Sequence, residues 1–158
     1  MNLPTSTCAS TTTADLTFGV GSALDTTDRF GTFAASGAAE GTSGRAMGMN
    51  IVSAMRRYAD GPRSLVVQLS GGDPARMAGM IFSTRSPDVA SATEVHRFLE
   101  IGGQHAVLTW TAGDKKSQTQ VLIAARYFVT IEVSPTDHAE DSLAIARALP
   151  FDVIAAVR

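Results

Sequence analysis

The chain has 158 residues, 44% of them hydrophobic and 18% charged, with a formal net charge of -2. That suits one folded domain with a sizeable core, is too short for two ordinary ones and excludes a wholly disordered chain. The charge balance makes no electrostatic case for nucleic acid or an anionic membrane surface; the single cysteine, Cys8, excludes an internal disulfide framework and a cysteine-rich metal cluster; and no apolar run reaches the roughly 18 residues of a membrane span.

Residues 1–14 are almost all Ser, Thr, Ala and Pro, too poor in apolar groups to offset the entropy of ordering, and read as a flexible, disordered tail. Cys8 followed by Ala9, Ser10 and three threonines has the look of a lipoprotein tether, a cell-envelope alternative to a default cytoplasmic location. The residues before it lack the Leu such a processing site wants. Residues 15–43 scatter Phe18, Phe30 and Phe33 among small residues and read as an irregular segment. It ends in a loop over residues 37–44.

The remainder, 44–158, reads as a single α+β domain. An alternating pattern from Arg45 to Tyr58 predicts a strand, Asp60-Gly61-Pro62 a turn, and residues 64–69 a returning strand. Asp73 and Pro74 suit an N-cap and first helical position, and Met77, Met80 and Ile81 would share the buried face of a short helix. Four strands follow: 94–101, 105–111, 118–124 and 127–133. The Gly102-Gly103 pair fits a two-residue hairpin turn. The last two strands carry apolar residues on both faces, which predicts a sheet covered on both sides. After Pro135, a helix is predicted over 138–149 with Ala139, Leu143, Ala146 and Leu149 inward, then a final helical turn from Pro150. The expected fold is thus α+β, ββαββββα, with an antiparallel sheet of about six strands packed with helices.

The central hairpin carries the best local cluster. With Gly102-Gly103 at the turn, Glu100 lies opposite His105, and Glu94 and His96 share their face. Two imidazoles and two carboxylates suit a transition metal, and a His–carboxylate pair, as in His96, Glu100 and His105, suits acid–base work; the plainer reading is an ordinary cross-strand pair on a half-solvated face. Arg97 sits in an apolar row, diagonal to Trp110, which predicts a stacked pair covering the sheet or marking a binding surface. The methionines at 47, 49, 55, 77 and 80 read as core filler. No Gly-x-Ser-x-Gly elbow and no phosphate-binding loop is present.

Residues 64–69 running into Gly71-Gly72-Asp73-Pro74-Ala75, the strand before Gly102-Gly103, and residues 125–133 leading to a closing helix and Phe151 together resemble PsbP-like domains, the same general fold as the small Ran-release factors. The resemblance covers about residues 45–157. It implies an antiparallel sheet between helices and a non-enzymatic accessory or binding role, with no site residue carried over. The expected function is an accessory or protein-interaction module with a protein partner or a second copy of itself, needing no cofactor. The alternatives are a metal-binding or hydrolytic protein built on His96, Glu100 and His105, and a small-ligand pocket beneath the N-terminal segment.

Overall fold

The computed structural model describes Leu24, residues 27–83 and residues 87–156. The tail, Cys8 and Phe18 lie outside the described residues. Ten strands form one antiparallel sheet: β1 (Arg29–Phe30), β2 (Phe33–Ala35), β3 (Glu40–Ala46), β4 (Met49–Asp60), β5 (Arg63–Gly72), β6 (Val89–Ala90), β7 (Glu94–Ile101), β8 (Gln104–Thr111), β9 (Lys116–Ile123) and β10 (Tyr127–Ser134). Helix α1 (Asp73–Ser83) follows β5, and α2 (Asp141–Arg147) and α3 (Phe151–Ala155) follow β10. The order across the sheet is β1-β2-β4-β5-β10-β9-β8-β7-β6, with β3 also on β4.

This corrects the expected fold class. Among the described residues, a mostly antiparallel sheet of ten strands with three short helices is closer to all-β than to a six-strand α+β domain. The additional strands come chiefly from residues 29–46, read as irregular chain and loop. Their small, polar composition has no alternation of its own; the pairing is dictated by the long β4, whose outer edge would otherwise present a row of unpaired amides. Strand β3 pairs along Met49–Met55 and β2 along Tyr58–Ala59 of that edge. The strand expected from Arg45 is split by a tight turn at Met47 and Gly48, both with positive φ.

One face of the sheet is the core. Val52, Ala54 and Tyr58 of β4, Leu65, Val67 and Leu69 of β5, Val129, Ile131 and Val133 of β10, Val121 and Ile123 of β9, and Ala106 and Leu108 of β8 are all buried there. Fully burying such a side chain contributes about 1.5–3 kcal/mol. The face is closed by α2 through Leu143, Ile145 and Ala146, by Ile154 of α3, and by Leu24, Phe30 and Phe33. The expected helix over 138–149 starts at Asp141, because residues before it form a turn in which the Thr136 hydroxyl accepts from His138 N–H and donates to the Asp141 carboxylate.

The opposite face is half-exposed, with Gln68, Gln118, Gln120 and Thr130 along its middle. Both-sided covering holds only toward the β9–β10 turn, where Leu122 is buried beneath α1. That helix faces the sheet through Ala75, Gly79 and Phe82, spaced i, i+4, i+7; the Leu122 side chain stands 3.9 Å from where a Gly79 Cβ would sit. At 100° per residue Met77 and Met80 must then point away, and they are 57% and 69% exposed. Met47, at the tip of its turn, is 95% exposed. The reading of these three methionines as core filler is therefore corrected: small residues let the helix approach closely, and the large ones lie outside.

Candidate functional site

The β7–β8 hairpin has the register its turn requires, with Glu100 opposite His105 and His96 opposite Thr109. His105 Nδ1 lies 3.8 Å from Glu100 Oε1, both side chains about two-thirds exposed. His96 instead sets its ring against Phe98, at a centroid separation of 5.3 Å. Four residues of strand place His96 about 13 Å from Glu100 at about 3.3 Å per residue. Thus the fold joins Glu100 to His105 and leaves His96 apart. Among the described residues no group of three or more His, Cys, Asp or Glu is placed to hold a metal ion. A solvated pair of this kind contributes little.

Arg97 and Trp110 are also separated. The Arg97 guanidinium reaches Glu140, at 3.1 Å, ahead of α2. Trp110 is buried, and its Nε1–H donates to the Thr136 carbonyl at 3.2 Å. The stacked pair is corrected to two separate ties between the β7–β8 hairpin and the segment that follows β10. Phe30 and Phe33, expected above a ligand pocket, are core residues, 3% and 4% exposed.

Two of the cavities among the described residues bear on the candidate site. One, of about 100 Å³, lies beside Phe82 and is lined by Phe98, Leu99, Glu100, His105 and Ala106. The other holds about 350 Å³ at the end of the sheet where β5 passes into α1 and β9 turns into β10. Its lining is Val52, Gly71, Gly72, Arg76, Ala125, Arg126 and Tyr127. The second is in the size range of small-molecule sites, about 300–1,000 Å³, and the first is too small.

Register explains how the second site is assembled. Gly71 pairs with both Val52 and Tyr127, so the three lie in one row across β4, β5 and β10. A Cβ on Gly71 would stand 3.0 Å from the Tyr127 ring, so the missing side chain is what lets the ring pack against β5 there. Gly72 has φ +78 and a Cβ there would stand 2.7 Å from the Asn50 carbonyl oxygen, which only glycine avoids. The Asn50 N–H donates to Asp73 Oδ2 at 2.8 Å, tying the start of α1 to β4. This junction carries Arg76, 80% exposed and 3.6 Å from Asp73 Oδ1.

The opposite rim is a tight turn closed by Arg126 N–H donating to the Ile123 carbonyl at 3.0 Å. Its central residues, Ala124 and Ala125, have φ of 52° and 54°. Two consecutive left-handed residues are the geometry for which Asn-Gly is normally selected, and alanine there costs on the order of 1 kcal/mol or more per position. The turn holds the Arg126 guanidinium 5.3 Å from the centre of the Tyr127 ring. The result is an apolar floor flanked by the Arg76 and Arg126 side chains. Such a site can hold and orient a molecule.

The sequence reading missed this site because its walls come from distant segments with no shared motif. The one local signal is Ala124-Ala125 between two strands, where a turn residue was due. No family model, no curated protein and no solved structure matches the chain.

Proposed function

We propose that the protein is a non-enzymatic accessory module that acts by binding, and that its binding site is the cavity between the β5–α1 junction and the β9–β10 turn. The accessory role accords with the PsbP-like resemblance. The observation that carries the reading is the rim: two alanines held in a left-handed turn bring Ala125, Arg126 and Tyr127 to the cavity against local preference. Strain of this kind persists where surrounding structure enforces it, and it concentrates at binding sites. The cavity takes a small molecule or a side group projecting from a partner protein.

Amide correlation spectra of the labelled protein, titrated with a panel of small aromatic and aliphatic acids, amines and neutral compounds, test this. Shifts should gather at Gly71, Gly72, Arg76, Ala125, Arg126 and Tyr127. A panel that moves only the Phe82–His105 region, or nothing, contradicts the reading.

A further inference from the structure

Two short patterns in the chain carry sulfur at close spacing, Met47-Gly48-Met49 and Met77-Ala78-Gly79-Met80. The first is the turn from β3 into β4, and the second lies in the middle of α1. The fold brings them to one corner. Asn50, next after Met49, donates its N–H to Asp73 Oδ2 at 2.8 Å, so the start of β4 abuts the start of α1. Met49 has the parity of Ile51, Ser53 and Met55, not that of buried Val52 and Ala54, and so stands on the sheet face that carries α1. At 100° per residue, Asp73, Met77 and Met80 fall within about 60° of one another around the helix. The two methionines thus continue the side of α1 that Asp73 turns toward β4.

Packing does not account for the exposed members of this group. Met47, Met80 and Met77 are 95%, 69% and 57% exposed. Met47 is also held at φ 53, a left-handed conformation that costs a side-chain-bearing residue free energy. Their chemistry supplies a use. Thioether sulfur is a soft donor that selects ions such as Cu(I), whereas carboxylate and water suit the hard ions. Four neutral donors also favour a single charge, because stripping water from a divalent ion costs far more. Methionine has three rotatable bonds, so sulfurs on neighbouring segments can swing together around an ion. The geometry points to a Cu(I) site at this corner, formed by Met47, Met49, Met77 and Met80. It shares no residue with the cavity described above and is tested independently of it.

The experiment uses the full chain carrying Cys8→Ser, which removes the one competing thiol. Its methionine methyl groups are labelled, and it is titrated with Ag(I), a redox-inert ion of the same softness. One equivalent should move the methyl signals of Met47, Met49, Met77 and Met80 and leave those of Met1 and Met55 in place. Zn(II) should move none of them. Met77→Leu and Met80→Leu, which keep side-chain volume, should each weaken Ag(I) binding about tenfold or more with the amide spectrum otherwise unchanged. Shifts confined to one of the two patterns, equal shifts at Met1 or Met55, equal binding of Zn(II), or an affinity unaltered in the double variant would each overturn the site.

Discussion

The guanidinium of Arg56, on the core face of β4, donates to the carbonyl oxygen of Leu24 at 3.2 Å. It also donates to the Thr27 and Gly37 carbonyls, at 3.0 and 2.9 Å, and to Asp28 Oδ1 at 2.7 Å. Asp28 is 84% exposed, so its ion pair is weak, and the carbonyl bonds from a nearly buried cation dominate. They fasten Leu24 and residues 27–37 over the core where β2 gives way to β3. Arg56→Met should lower unfolding free energy by about 2–4 kcal/mol in denaturant melts. A loss under about 0.5 kcal/mol would show that hydrophobic cover alone holds that segment.

Helix α2 is docked by a buried polar seam. The Ser142 hydroxyl lies 2.6 Å from that of Ser117 and 2.8 Å from that of Thr119, and Ser142 N–H donates to Ser117 Oγ at 3.1 Å. All three residues are fully buried. Removing one hydroxyl leaves partners unsatisfied in a dry site. Ser142→Ala should therefore destabilise by about 1–3 kcal/mol. Thermal melts of Ser142→Ala beside Ser117→Ala/Ser142→Ala measure this. A neutral single variant contradicts it.

The rim turn makes an opposite prediction. Ala125→Gly places the residue that a left-handed position prefers, and should raise stability by about 0.5–1 kcal/mol despite the added freedom of the unfolded chain. Lower stability would mean that the turn is not under the strain its φ values indicate.

Acid sensitivity follows from the β4–β5 turn. Hydrogen bonds from Thr32 and then from Arg63 hold the Asp60 carboxyl below its ordinary value. Arg63 also stacks on Phe33, 4.9 Å from the ring centre, and reaches Asp141 at 3.5 Å. A carboxyl depressed on folding contributes stability above its unfolded value, and the contribution fades as pH falls through the folded one. The stability gap between wild type and Asp60→Asn should thus be full at pH 7 and shrink below about pH 4. A gap independent of pH from 7 to 2 would contradict this.

How far the fold was legible follows from what each segment carries in itself. Gly102-Gly103 dictates its hairpin, and with it the opposition of Glu100 and His105. The inward side of α2, Leu143 and Ala146, reads from spacing. Residues 29–46 do not, because their strands exist only against β4. Met77 and Met80 mislead because size suggests burial while Ala75 and Gly79 make the closer contact. Arg97 and Trp110 are neighbours in the sheet, yet each has a better polar partner beyond β10. The cavity is least legible of all: Arg76 and Arg126, 50 positions apart in sequence, line one cavity through the pairing of β5 with β10.

Amide correlation spectra of the labelled protein, titrated with the panel of acids, amines and neutral compounds, test most directly whether the cavity between the β5–α1 junction and the β9–β10 turn is a binding site. The account predicts shifts gathered at Gly71, Gly72, Arg76, Ala125, Arg126 and Tyr127. Shifts confined to the Phe82–His105 region, or none with any compound, would contradict it.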